Sequence, residues 1–219
     1  MNRVALFDFC ETLVNFQTAD AFVDFVRTKS QNKRMFILER IRMFLIKFHV
    51  LAFLERRFFS RIPIHKITKL FQLRGLCQKE LEYYASLYYN EKIKPNFIPK
   101  VLAILKDKQK NGYTIAIVSG GYGIYLKYFA KEFNVPFVLS SNIKFKNNVC
   151  TGLLDGPDCM EENKIKYLEK VFAKDRIQSE AYSDSITDLP LLNWADQGYV
   201  ISKGKHQNWI SDNLIEIIW

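Results

Sequence analysis

Val4-Ala5-Leu6-Phe7-Asp8-Phe9-Cys10-Glu11-Thr12-Leu13-Val14 decides how this chain is read. The first four residues form a short apolar run that stops at an acid, the pattern of a buried parallel strand. Asp8 would then lie just past the carboxyl end of a strand, where open parallel sheets bind their ligands. Two later stretches have the same form: Tyr113 to Val118 leads into Ser119-Gly120-Gly121, and Ala181-Tyr182-Ser183 leads into Asp184 and Asp188. Lys164 opens a helix between them. Each signal alone is weak, since a lone acid after a strand also reads as a helix cap and Ser-Gly-Gly as a turn. In this order and at these separations they form one constellation.

Outward from it, the second half alternates. The pattern predicts helices over 97–110, ending at Asn111-Gly112, and over 122–133, 164–172 and 189–194. Short strands are expected at 137–139 and 198–201, with a hairpin over 142–154 turning at Asn147-Asn148. Strand-helix alternation gives an α/β fold with a parallel sheet flanked by helices. Residues 18–61 differ: Phe22, Phe25, Val26, Phe36, Ile37, Ile41, Phe44, Leu45 and Phe48 recur at helical spacing, with neither Pro nor Gly before Pro63. A mostly helical insertion after the first strand is the simplest reading, with a further helix from Leu81 to Tyr89. Glu39, Arg40, Arg42, Lys47 and Glu55 interrupt its apolar stretch, so it is not a membrane span. Its apolar face is expected to be the insertion's own core. The alternative is contact between the basic stretch Arg34 to Arg61 and an anionic membrane or a protein partner. The apolar residues between Trp209 and Trp219 are expected to pack back on the sheet.

The 219 residues, 48% hydrophobic and 25% charged, suit a globular chain able to bury its own core. The net charge of +9 is localised: residues 15–95 hold 16 Lys/Arg against 7 Asp/Glu, and the remainder is neutral. No nucleic-acid-binding motif accompanies it, so no nucleic-acid partner is expected. Cys10, Cys77, Cys150 and Cys159 lack metal-site or disulfide spacing. With no apolar leader before Asp8, a cytoplasmic location is expected.

The residue types point to phosphoryl transfer. A carboxylate can attack phosphorus to give an aspartyl-phosphate. Attack on an anionic phosphate needs charge neutralisation, and Asp8 and Asp184 are hard oxygen donors suited to Mg²⁺. Ser119, the glycine N–H groups and Lys164 can hold the phosphoryl oxygens.

FDFCETLV (7–14), IVSGG (117–121), ENK (162–164) and YSDSITDLPLL (182–192) resemble the four motifs of the haloacid dehalogenase-like hydrolases, specifically the phosphoserine phosphatase-like subfamily IB. SSNIKFKNNVCTGLLDGPDC (140–159) is similar to the hairpin of that subfamily. The resemblance implies a Rossmann-like core (1–14 and 96–219), a helical cap (15–95) and Mg²⁺-dependent hydrolysis of a small phosphorylated metabolite. It implies Asp8 as nucleophile, and Asp8, the main-chain carbonyl of Cys10 and Asp184 as metal ligands. Thr12, Ser119, Gly120 and Lys164 would contact the phosphoryl group, and Asp188 would orient Lys164 or a metal-bound water.

Three positions depart from the family pattern. Cys10 replaces the Asp that protonates the leaving oxygen, and a thiol lacks that acidity. Glu11 beside it would point elsewhere. Gln17 replaces the Glu that meets a substrate ammonium, and Thr187 replaces an Asn, which argues against free phosphoserine and for an amino-alcohol, sugar or polyol phosphate. Three readings stay open: a slow phosphatase, a weak or inactive phosphate-binding homologue, or a different reaction on the aspartyl ester. Arg56, Arg57 and Arg61 are candidates to meet an anionic end of the substrate.

Overall fold

The computed structural model describes residues 2–53, 63–204 and 208–219. In chain order the strands are β1 (Asn2–Phe7), β2 (Thr114–Tyr122), β3 (Phe137–Ser141), β4 (Ile143–Lys146), β5 (Val149–Leu154), β6 (Ile177–Ser183), β7 (Gln197–Ser202) and β8 (Leu214–Ile218). The helices are α1 (Thr18–Ser30), α2 (Lys33–Lys47), α3 (Ile64–Leu70), α4 (Gln78–Tyr88), α5 (Pro99–Lys110), α6 (Gly123–Glu132), α7 (Glu162–Leu168) and α8 (Leu189–Trp194).

Six strands make one parallel sheet in the order β3-β2-β1-β6-β7-β8, and β4 and β5 pair as a separate antiparallel hairpin. This is the α/β, Rossmann-like architecture expected from the alternation. The two-residue period of β1 explains its apolar run Val4–Phe7: Ala5 and Phe7 enter one core cluster, Val4 and Leu6 the cluster on the opposite face. α5 and α6 cover the first face, through Val101, Leu105, Tyr125 and Phe129. α7 and α8 cover the second, through Leu168, Leu191 and Leu192. Phe7 stacks on Tyr182 at 4.4 Å, which holds β1 beside β6.

Helices α1 to α4 follow β1. Phe22, Val26, Leu81 and Tyr88 from them share the first cluster with Phe9, Tyr122 and Phe129, so helices and sheet meet in a continuous apolar core. The hairpin also reaches them, since Gly75 donates to the Cys150 carbonyl (2.9 Å) and Gln78 to the Asn148 carbonyl (2.8 Å).

Several local expectations change. The helical stretch breaks at Gln31, whose φ is 51°, because the Asn32 side chain caps α2 by accepting from the Arg34 N–H. Phe22, Phe25 and Val26 of α1 are buried in the core as expected, but the apolar face of α2 is not: Phe36, Ile37, Ile41, Phe44 and Phe48 are exposed, and Met35 is the only buried residue of α2. Ser119-Gly120-Gly121 is not a turn but continues β2, with a register irregularity between Ser119 and Tyr122. α7 begins at Glu162 and ends at Leu168, where Val171 N–H closes a turn onto Leu168. The hairpin turns as expected, with Asn147 and Asn148 at φ 50° and 61°, the left-handed pair of a tight hairpin turn. The C-terminal apolar residues pack back as β8, parallel to β7. All four cysteines are free. Among the described residues no helix is long and apolar enough to cross a membrane. Arg56, Arg57 and Arg61 lie outside the described residues.

Candidate active site

The sheet gathers its polar groups at the carboxyl ends of three adjacent strands. Asp8 is the first residue past β1, and its N–H donates to the Tyr182 carbonyl of β6 (2.9 Å). Ser119 lies in β2, and Asp184 follows β6 directly. Lys164, in the first turn of α7, is 1% exposed and reaches between two carboxylates. Its Nζ donates to Asp8 Oδ1 (2.7 Å) and to Asp188 Oδ2 (2.6 Å). Ser183 Oγ donates to the same Asp188 oxygen at 2.6 Å. Asp188 therefore serves this network rather than capping α8, where its side chain makes no cap bond.

Thr12 takes a different place from the one the resemblance implies. Its Oγ1 donates to Asp184 Oδ1 (2.9 Å) and accepts from the Asp184 N–H (3.1 Å), locking that carboxylate against the β1 loop. Thr12 does not line the cavity. Ser119 and Gly120 do line it, with Ser119 Oγ accepting from the Gly121 N–H at 3.2 Å. A Cβ at Gly120 would lie 2.3 Å from Met160 Sδ, so a side chain there would displace the Met160 thioether. Gln17 and Thr187 also line the cavity. Gln17 Nε2 donates to Glu11 Oε2 (2.5 Å), while Thr187 Oγ1 pairs with Ser185 Oγ (2.8 Å). Glu11, at φ 56°, does not line it and is no substitute acid.

Burial pushes the Asp8 carboxyl up to about 6, partly offset by Lys164. Burial and the Asp8 charge together push Asp184 up to about 7. Burial lowers the Lys164 ammonium, but Asp8 and Asp188 outweigh it and the net direction is up. Cys10 is pushed up to about 11 by burial and by Asp8. Its Sγ lies 3.0 Å from Thr18 Oγ1, which in turn lies 2.7 Å from the Tyr125 hydroxyl. At neutral pH Cys10 is a protonated, hydrogen-bonded thiol.

These groups fit a divalent cation. Asp8 and Asp188 share one ammonium, Asp188 Oδ1 is buried without a partner, and the raised Asp184 carboxyl has no cation beside it. The donor set is oxygen, as Mg²⁺ prefers. Among the described residues no three His, Cys, Asp or Glu side chains close into a cage.

The cavity over these strand ends is about 410 Å³. Its far wall contains Asp158 from the loop before α7 and residues that sequence reasoning missed: Asp20 from α1, His65 and Lys66 from α3, and Met160. Lys66 Nζ bonds the Gly120 carbonyl (2.6 Å) and Ser141 Oγ (3.3 Å) and pairs with Asp158. Asp158 lies in the hairpin stretch 140–159, whereas nothing in the sequence singled out Lys66 from the other basic residues around it.

Fold and site together define a Rossmann-like α/β protein with a buried carboxylate-lysine centre. The chain belongs to the haloacid dehalogenase-like hydrolases, whose family model matches residues 5–193. It is similar to the protein CicA of Caulobacter vibrioides, 26% identical over 136 residues, which is 61% of each chain. It is also 26% identical to the phosphoserine phosphatase of Methanocaldococcus jannaschii over 94 residues, 42% of this chain and 44% of that one. The matches thus span less than two thirds of either relative. Among solved structures, a Bordetella pertussis protein of unknown function has a TM-score of 0.75 at 20% identity, covering 92% of this chain and 90% of that one. A phosphoserine phosphatase in apo form has a TM-score of 0.60 at 18% identity, covering 92% and 86%.

Proposed function

We propose that this chain is a Mg²⁺-dependent phosphatase that hydrolyses a small phosphomonoester through an aspartyl-phosphate on Asp8. The observation that carries the reading is the fully buried Lys164 held at hydrogen-bond distance from both Asp8 and Asp188. An ammonium in that position holds Asp8 in place and meets the charge of an incoming phosphoryl group. Asp8, the main-chain carbonyl of Cys10 and Asp184 would hold Mg²⁺, with Asp188 acting through Lys164 or a metal-bound water; the ion would neutralise phosphoryl oxygens. In the first step an Asp8 oxygen bonds phosphorus as the phosphorus–alcohol oxygen bond breaks. In the second, water attacks phosphorus, releasing phosphate and the free carboxylate. Ser119 and Gly120 line the phosphoryl side of the cavity, and Thr12 acts as a positioning residue through Asp184.

The leaving alcohol needs a proton. Cys10 holds one, but at about 11 it releases it reluctantly and Asp8 disfavours the thiolate left behind. Asp20 and His65 are cavity groups able to exchange protons. Gln17, Asp20 and Thr187 favour a hydroxyl-bearing leaving group: an amino-alcohol, sugar or polyol phosphate. We also read residues 1–14 and 96–219 as core and 15–95 as cap. The two crossings run side by side, with Asn15 N–H on the Asn96 carbonyl (3.1 Å) and Ile98 N–H on the Leu13 carbonyl (2.9 Å), which supports those boundaries.

The test is phosphate release across a panel of phosphorylated metabolites, with Mg²⁺, with Ca²⁺ and in excess chelator. Turnover should require Mg²⁺, and Ca²⁺ should replace it poorly because it favours looser, higher coordination. The raised Cys10 thiol favours one second reading, a phosphate-binding homologue. Tight phosphate binding without turnover on any ester would establish that reading instead.

A further inference from the structure

The first helix pair of the insertion is unusual in what it turns outward. An ordinary surface helix hides its apolar stripe and exposes its charges. α2 does the reverse with its acid. Glu39 is the one acidic residue between Lys33 and Phe53, and it is drawn inward. It accepts from Lys69 Nζ (3.0 Å) and Gln72 Nε2 (2.5 Å) and pairs with Arg42, which also pairs with Asp20 at 3.6 Å. The outward half of the helix carries Phe36, Ile37, Ile41, Met43, Phe44 and Phe48, all exposed. Phe44 is 60% exposed, and Phe53 beyond the helix 62%. Phe44 and Phe48 lie against each other at 4.5 Å, forming a ridge.

Lys33, Arg40 and Lys47 are exposed on the same side. With 3.6 residues per turn, they and the apolar residues fall within about half the helix circumference. Over residues 33–53 the result is an apolar ridge interleaved with cations and free of any exposed carboxylate. Exposed patches of this kind mark interaction sites.

We propose that this face docks on an anionic lipid bilayer. The charge selects the occupant. A second copy presenting the same face would set cation against cation. A bilayer of acidic lipids offers the complement in both respects: acyl chains for the phenylalanines, and lipid phosphates for Lys and Arg heads carried on long flexible stems. Association by insertion of a ridge needs no spanning segment, consistent with the absence of one among the described residues. The inference does not rest on the phosphatase reading, since none of these residues lines the cavity.

The test is co-sedimentation of the full chain with phosphatidylcholine vesicles, alone and mixed with phosphatidylglycerol. The protein should pellet with the mixed vesicles, and added salt should release it as charges are screened. Phe44→Ser with Phe48→Ser should weaken partitioning about 10²-fold or more, from the loss of two buried rings. Lys33→Gln with Arg40→Gln and Lys47→Gln should weaken it about 10²-fold, at about fivefold per charge. Tyr83→Ser, at an exposed aromatic on α4, should leave it unchanged. All these positions are exposed, so circular dichroism and melting should match the parent. Failure of the parent to pellet with mixed vesicles overturns the proposal, as does equal pelleting by both multiple variants. Two other results also overturn it: a dimer in solution that Phe44→Ser breaks, assigning the face to a second copy, and capture of RNA duplex in preference to vesicles.

Discussion

The two walls of the cavity are built by different means. The floor consists of groups set at strand ends, where ladder bonds such as Asp8 N–H to Tyr182 fix the backbone and Lys164 joins Asp8 and Asp188 at 2.7 and 2.6 Å. The far wall comes from α1, α3 and the loop before α7. Its charges are also paired, Lys66 with Asp158 and Asp20 with Arg42, but they stand on helices and a loop rather than at strand ends, and Arg42 reaches Asp20 only at 3.6 Å. Lys164, 1% exposed between two carboxylates at the strand ends, suits the chemistry, whereas Lys66, 14% exposed and brought in from α3 onto the Gly120 carbonyl and Asp158, suits recognition. The difference predicts that floor substitutions change rate and far-wall substitutions change affinity.

The most severe test of the floor is Asp8→Asn, which alters charge and little volume. Turnover should fall by about 10⁴-fold or more with the circular dichroism spectrum unchanged; survival above about a hundredth of the parent rate removes Asp8 as nucleophile. Cys10→Asp sharpens the comparison in the opposite direction. It should raise the rate on alkyl phosphates by about 10² to 10⁴-fold, less the cost of a carboxyl beside Asp8, and raise it less on p-nitrophenyl phosphate. Equal gains on both esters would place residue 10 outside the proton path.

Lys164→Met should destabilise the fold by about 3–5 kcal/mol at pH 8, because it leaves Asp8 and Asp188 buried without their cation. The loss should shrink as pH falls and the carboxyls take up protons; chemical denaturation at two pH values reads both. Lys66→Met should cost less, about 1–3 kcal/mol for the unpaired Asp158. It should raise KM more than it lowers kcat. If kcat falls as steeply as with floor variants, the division between the walls is wrong.

The smallest effect concerns protons in the metal-free protein. Asp184 titrates near 7 when folded and near its ordinary 3.8 when unfolded, so the folded state holds a proton that the unfolded chain releases between those values. Its contribution to stability therefore diminishes as pH rises from about 4 to 7. Melting of the parent relative to Asp184→Asn should show that slope, and Mg²⁺ should stabilise the parent more at pH 8 than at pH 6.

The same division explains what could be read in the sequence. Apolar runs that end in Asp8, in Ser119 or in Asp184 announce both the strand and the position of the residue after it, because a strand's direction fixes where its end lies. Hence the parallel sheet and the floor were legible. Lys66 was not, because helical spacing gives a face without saying what meets it, and the bond to Gly120 spans 54 residues of sequence. Phe36, Ile37, Ile41, Phe44 and Phe48 were misread for a related reason. Periodicity marks an apolar face, but it cannot report whether anything covers that face.

The central position of β1 has a consequence for biosynthesis. Val4 pairs with Thr114 and Asn2 with Ile177, so the first strand made acquires its neighbours only after the whole insertion has been translated. At roughly 5–20 residues per second, about 110 residues of delay leave Val4 to Phe7 unpaired for roughly 5 to 20 s. During that time the buried apolar run of β1 and the exposed ridge of α2 have both left the ribosome before any sheet exists to receive the former. The nascent chain is therefore most exposed to aggregation in its first half, and a holding chaperone should have its greatest effect on yield there.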